Sequence, residues 1–289
     1  MPNNIELIKK YVPLLDEAYR KASLTADLDG NPELVREGAN ANELIIAKMS
    51  MDGLANYSRS SGYVDGNVEL TWETVKCNYD RGRKFHVDDM DDAETAHLAF
   101  GRLAGAFIRD RVAPEIDAFR LAAYASEEGI GSATGALTTG ANVITALRAA
   151  STAMDEAEVY AENRILYITP TLRGLISDLD TTKSREVLNK FSKIVEVPQS
   201  RMYSAVQLKD GVSEDQKAGG FAKADGGVPL NFIIVQKDAV IQFPKHVVPR
   251  VFDPSVNQNA DAWIYTYRNV GIADVYENKR SGIYVHKTA

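Results

Sequence analysis

The sequence predicts an α+β chain, and three observations carry that prediction. A helical repeat of unusual length runs from about residue 91 to 126, helix and strand patterns alternate after it, and the last third reads as strands. The alternating middle taken by itself fits α+β or α/β. With 289 residues, 45% hydrophobic and 25% charged, the chain holds one large domain or two modest ones with a real core, which excludes wholesale disorder.

The elements follow in order. Ile5, Ile8, Val12, Leu15 and Tyr19 recur at threes and fours, a helical face interrupted by Pro13. A proline costs about 3 kcal/mol inside a helix, so this is a kinked helix or two short ones, the second beginning at Pro13. Residues 22–41 lack periodicity and read as an arm. Glu43–Leu54, Val68–Cys77 and Tyr79–Val87 read as strands around a polar run, 56–67, that contains the Asp65-Gly66 turn signal. Such a hairpin region is too long and polar at its tip to bury within one domain. It is expected to project into solvent or to lie on a neighbour.

Asp91 and Glu94 stand at capping-box spacing, with Asp92 adding negative charge to the first turn. The apolar face runs through Ala96, Phe100, Leu103 and Phe107, then resumes at Ile116, Phe119 and Ala123. Pro114 is expected to bend the helix without ending it. From Asp92 to Ala125 it would measure about 50 Å at 1.5 Å per residue. Residues 127–142, with four glycines, read as a flexible connection. A helix follows from Asn142, then a strand at Ile165–Thr169 stopped by Pro170, then a helix through Leu172, Leu175, Ile176 and Leu179. Strands are expected at Asn231–Gln236, Ala239–Phe243, Ala262–Val270, Ile272–Tyr276 and Gly282–His286, with Pro249–Pro254 as a rigid irregular connection.

Composition excludes several functions. Net charge is −7, with 22 Lys/Arg against 31 Asp/Glu in residues 1–200 and 11 against 9 afterwards. No block of positive charge offers a grip on a phosphate backbone. No run approaches the roughly 18 apolar residues of a membrane span, and Met1–Ile5 does not open a secretory leader. Cys77 stands alone, which excludes an internal disulfide and a multi-cysteine zinc site and fits a reducing, intracellular origin.

Catalytic constellations are not found. Gly129-Ile130-Gly131-Ser132-Ala133-Thr134-Gly135 misses the dinucleotide spacing by one residue, so it reads as a connector. His86, His97, His246 and His286 share no metal-ligand spacing. His97 stands near Asp88, Asp89, Asp91, Asp92 and Glu94, which read as a solvated helix cap. Cys77 has no base nominated beside it. Arg109, Asp110, Arg111, Glu115 and Asp117 read as ion pairs on a solvated or subunit-facing side of the long helix. No catalytic residue, cofactor or metal is therefore expected. An arm, a protruding hairpin and one very long helix make sense when the buried surface lies between chains.

Four stretches carry a resemblance. Asn78–Thr95, Val112–Arg120, Pro249–Pro254 with Asn257–Trp263, and Val275–Lys279 with Gly282–Tyr284 resemble, in order, segments of tailed-bacteriophage major capsid proteins. The resemblance implies the coat fold of phage Hong Kong ninety-seven. It implies an N-terminal arm at 1–41, an extended loop at 42–88, a spine helix at 89–126, an axial domain at 127–239, peripheral strands at 240–270 and C-terminal strands at 271–289. It further implies pentamers and hexamers of an icosahedral shell that encloses DNA without binding it specifically, built in the host bacterial cytoplasm and matured by expansion. The partners it implies are further copies of the chain, a scaffolding protein, a portal and, in some shells, a decoration protein, with no membrane. Arg59, Tyr63, Arg81, Arg83, Arg109 and Asp117 are the expected subunit contacts. No lysine lies between Lys48 and Lys76, so the covalent crosslinks of some family members are not expected. About 40 residues precede the first strand, too few for a large built-in scaffold. The same fold in an encapsulin-like nanocompartment is the first alternative, and a soluble α+β enzyme the second.

Overall fold

A computed structural model describes residues 23–30, 35–37, 42–90, 98–179, 182–257 and 260–289. The expected helix at 5–20, most of the arm, the Asp91/Glu94 cap and His97 lie outside the described residues.

The first strands form a small antiparallel sheet, β1 (Val35–Glu37), β2 (Glu43–Met51) and β3 (Val68–Lys76), in that order. The hairpin register is unbroken, from Glu43 opposite Lys76 to Met51 opposite Val68. The next strand, β4 (Tyr79–Asp88), leaves the hairpin after only Cys77 and Asn78. It becomes the edge of a second antiparallel sheet, β11 (Val240–Phe252), β12 (Ala262–Val275) and β4.

The long helix lies on this second sheet as α1 (Leu98–Phe107) and α2 (Ala113–Ser126), joined by a π-helical turn, Ile108–Val112. Tyr79, Tyr265 and Tyr267 from the sheet meet Ala104, Ile108, Val112 and Ile116 from the helix. Where the sequence predicts a bend, the helix widens: the Ala113 N–H reaches the Ile108 carbonyl. Proline lacks an N–H and its ring crowds the carbonyl four residues back, and a wider turn just before Pro114 absorbs both defects.

A third sheet has the order β5 (Gly131–Thr134), β13 (Ile283–Lys287), β10 (Leu230–Gln236), β6 (Arg164–Ile168) and β7 (Lys193–Glu196). The two outer pairs are parallel and the two inner pairs antiparallel. Strand alternation splits the core here. Leu166, Ile168, Phe232 and Ile234 face α3 (Gly140–Glu156), α4 (Pro170–Ser177) and α5 (Thr182–Leu188). Ile165, Tyr167, Ile233 and Val235 face Leu121 and Tyr124 of α2. Burial on both faces explains why these strands read as continuous apolar runs. A hairpin of β8 (Val206–Leu208) and β9 (Phe221–Lys223) stands apart, closed by the loop 209–220.

Three sequence expectations change. The connector 127–142 contains a strand, because Gly131 lies so close to the Tyr284 ring that a Cβ would sit 2.5 Å from it. β11 runs through Pro249 to Phe252 instead of stopping near 243, and on an edge strand a proline's missing N–H can face outward. A bulge between Pro244 and His246 lets the first proline pass as well. Finally, β12 crosses Gly271 without a break, its backbone close against Phe243.

Candidate subunit interface

The β2–β3 hairpin presents different faces at its root and its outer half. At the root Leu44 and Ile46 are buried against Ile241, Phe243 and Ile272. Lys245 donates to the Glu43 carbonyl at 2.6 Å, and the Asn78 side chain bonds both the N–H and the carbonyl of Ala273. The hairpin thus leaves the body from a fixed base. Farther out, the opposite face carries the cross-strand pairs Ala47/Trp72, Met49/Leu70 and Met51/Val68. Met49, Met51, Leu70 and Val68 are each more than half exposed. Arg36 covers part of the Trp72 ring at 4.3 Å from its centroid. A contiguous apolar ladder in water marks a contact surface.

The tip is an ordered turn. Ser58 and Gly62 exchange backbone hydrogen bonds at 3.1 and 2.8 Å, with Gly62 at φ +79°. Tyr57 and Tyr63 meet edge to face at 4.9 Å, and both point into solvent, Tyr63 at 88% exposure. Asp52 closes the neck by accepting from the Asn67 N–H at 2.8 Å. Arg59 is exposed on the same turn.

Three of the remaining expected contacts, Arg81, Arg83 and Asp117, make bonds within the chain, and Arg109 stays on the surface. Arg81 donates to Glu115 at 2.8 Å, and Arg83 donates to the Lys217 carbonyl at 2.9 Å. Both guanidiniums therefore fasten β4 to the spine and to the loop 209–220. Together these elements wall a cavity of about 460 Å³, floored by Leu103, Phe107, Phe85 and Tyr267. Tyr79 donates to Glu115 at 3.2 Å beside it, and burial, with Glu115 next to it, pushes its phenol well above the ordinary range. Arg109 pairs with Asp110 at 2.9 Å on the open surface, a contact of little energetic weight.

Asp117 is wholly enclosed within the chain. Its carboxylate accepts from Ser23 Oγ, the Leu24 and Thr25 N–H groups, Thr25 Oγ1 and Arg201 Nη1. Arg120 and Gln242 hold Thr25 and Asp29 beside it, and Leu28 is fully buried. The segment 23–30 is thereby clamped onto the spine. Sequence reasoning missed this clamp and also the apolar ladder. The ladder had a signal, the period-two runs Ala47-Met49-Met51 and Val68-Leu70-Trp72.

His286 contacts Asn231 at 3.0 Å, and burial lowers its pKa. Burial raises the thiol pKa of half-buried Cys77, which disfavours the thiolate. Asp89 accepts from the Trp263 indole at 3.0 Å. Among the described residues no cluster of three or more His, Cys, Asp or Glu is placed to hold a metal ion, and no helix is long and apolar enough to cross a membrane.

No protein-family model and no curated protein matches the chain. Solved structures do. The capsid structure of Staphylococcus phage Andhra superposes with a TM-score of 0.58 at 12% identity, over 89% of this chain and 84% of that one. The capsid of Myoviridae phage XM1 gives 0.55 at 12% identity, over 93% and 92%. A virus-like particle from Pyrococcus furiosus gives 0.57 at 13% identity, over 97% and 99%. The chain has the phage capsid fold of Hong Kong ninety-seven type.

Proposed function

We propose that the chain is the shell-forming subunit of a tailed phage: a structural, non-enzymatic protein whose copies close into pentamers and hexamers of an icosahedral capsid around double-stranded DNA. The observation that carries this reading is the exposed apolar ladder of β2–β3 on a capsid-type fold. A rigidly rooted hairpin with its apolar face in water needs a neighbour, and a closed lattice supplies one for every copy. In this reading residues 1–41 form the arm, 42–88 the extended loop, 89–126 the spine, 127–239 the axial domain, 240–270 the peripheral strands and 271–289 the C-terminal strands.

The shell is held without covalent crosslinks, since the outer hairpin carries no lysine. The net charge of −7 suits a wall that encloses DNA without gripping it. A separate scaffolding protein and a portal are the partners this role calls for, with a decoration protein in some shells, and the first shell formed expands on packaging. The virion is its final location.

The test is expression of the chain, alone and with the phage's other structural proteins, followed by negative-stain electron microscopy. Closed shells are expected; small particles under every condition overturn the proposal. Deleting residues 57–67 should leave soluble subunits that no longer close shells, and normal particles from that deletion would remove the loop from the interface. A second reading, a nanocompartment of the encapsulin kind, is favoured by the near-complete mutual coverage with the Pyrococcus furiosus particle. Nucleic acid inside the shells supports the first reading, and protein cargo the second.

A further inference from the structure

Strand β10 carries a bulge where it meets the last strand. Leu230 stands opposite Lys287 and Phe232 opposite His286, so Asn231 falls between the two pairs. A bulge re-aims a side chain, and here it brings the Asn231 amide to the ends of two other strands. Its Nδ2 donates to the Gly135 carbonyl, just past the end of β5, at 3.1 Å and lies 3.0 Å from Nδ1 of His286. Its Oδ1 accepts from Thr288 Oγ1 at 3.2 Å. The Gly135 N–H donates to the Lys287 carbonyl at 3.0 Å, and the Thr288 N–H to the Pro229 carbonyl at 2.9 Å. One amide thus ties β10 to the end of β5 and to the end of β13.

These contacts fix where the protons are. A carbonyl only accepts, so the amide group facing Gly135 is the nitrogen. The same NH2 supplies the hydrogen that points at His286, and Nδ1 must accept it. His286 is therefore a neutral imidazole with its proton on Nε2. An imidazolium carries a proton on both nitrogens and would set donor against donor. Turning the amide over would restore that contact only by setting Oδ1 against the Gly135 carbonyl.

The surroundings do not compensate a charge on the ring, which is buried. Strand β10 presents Asn231 and the Phe232 ring, the end of β5 Ala133 and Gly135, and α3 lays Val143 and Leu147 on the same face of the sheet. The titratable neighbours on β13 are Tyr284, on the same face, and Lys287, itself a cation. Among the described residues no carboxylate pairs with the ring. Burial lowers the His286 pKa, with the Lys287 carbonyl acting the other way. The opened state therefore binds the proton more readily than the closed one. Closure is fully favoured at neutral pH and above, and the advantage is lost as pH falls through the imidazole range.

We infer that His286 and Asn231 form an acid-released latch that holds the end of β5 and the C-terminal end of β13 against β10. Protonation of His286 opens it, freeing the turn at Gly135 and Thr288 and then the four-residue pairing of β5 with β13. The latch belongs to the single subunit and goes beyond the shell reading, on which it does not depend.

Hydrogen exchange read by mass spectrometry tests the latch on dissociated wild-type subunits at about pH 7.5 and about pH 5, after correction for the pH dependence of chemical exchange. Residues 131–135 and 284–288 should lose protection at the lower pH while 165–168 of β6 keep theirs. Equal loss across the whole sheet, or no loss at 131–135 and 284–288, overturns the inference. His286→Gln offers the Asn231 amide a neutral acceptor that does not titrate, so protection of both segments should then be the same at the two pH values. A loss as large as in the wild type overturns the assignment to His286. If that variant does not fold, the nitrogen NMR shifts of the wild-type imidazole at neutral pH decide instead: a proton on Nε2 supports the latch, and a proton on Nδ1 overturns it.

Discussion

Asp117 takes its hydrogen bonds from residues 92 to 94 positions upstream, and nothing in its own neighbourhood of sequence announces them. A charged residue on a long helix reads as a surface ion pair, whereas here it is a buried acceptor for two backbone N–H groups and two hydroxyls. Asp117→Ala should destabilise dissociated subunits by about 3–5 kcal/mol, because it strands buried donors and uncouples Arg201. Asp117→Asn, which keeps one acceptor, should cost less; urea denaturation reads both, and an unchanged midpoint for the alanine variant would refute the clamp. The reverse case is Tyr265, wholly buried, whose hydroxyl finds no hydrogen-bond partner among the described residues. Tyr265→Phe removes an unsatisfied polar group and keeps the ring packing against Phe107. It should leave stability unchanged or raise it by up to about 1 kcal/mol. A clear loss in the same denaturation experiment would mean that the hydroxyl has a partner.

Elements were legible where a repeat ran uninterrupted, and obscured where a glycine or proline carried two meanings. The described part of the spine, from Leu98, and α3, β6 and β10 stand where periodicity puts them, because their burial is one-sided or complete over many residues. Glycine reads as a breaker, yet Gly131 and Gly271 sit inside strands as points of close approach, a tertiary fact that local pattern does not contain. Pro249 likewise reads as an end until the sheet order puts β11 at an edge. Gly140 is the sharpest instance. It opens α3, and a Cβ there would lie 2.1 Å from the Leu175 carbonyl oxygen of α4. That oxygen belongs to a helix backbone and cannot swing aside as a side-chain tip can. Gly140→Ala should therefore push α3 off α4 and cost about 1–3 kcal/mol despite alanine's better helix propensity. A thermal melt with an unchanged midpoint would show that the two helices tolerate separation.

At the scale of the molecule, the hairpin is legible as a projection but not as an adhesive. Its sequence shows the polar tip and, more faintly, the alternation of Met49, Met51, Val68, Leu70 and Trp72. Which face looks outward depends on the body claiming Leu44 and Ile46, and that requires β11 and β12 from the other end of the chain. Once the root is fixed, strand alternation turns Met49, Met51, Val68 and Leu70 outward, each more than half exposed among the described residues. Stability and assembly are then separable properties of one element. Replacing Met49, Met51 and Leu70 together by Ser or Thr removes apolar groups that are already in water in the single subunit. Exposed sites of this kind shift folding stability by about 0.5 kcal/mol or less each. Each such side chain buried at a contact contributes about 1.5–3 kcal/mol, and a ring multiplies that loss by its number of subunits. The triple variant should therefore melt close to the wild-type temperature by circular dichroism yet elute as free subunits on size exclusion. Closed shells at wild-type yield would show that the ladder faces solvent in the assembled particle as well, and that the lattice is held by other surfaces.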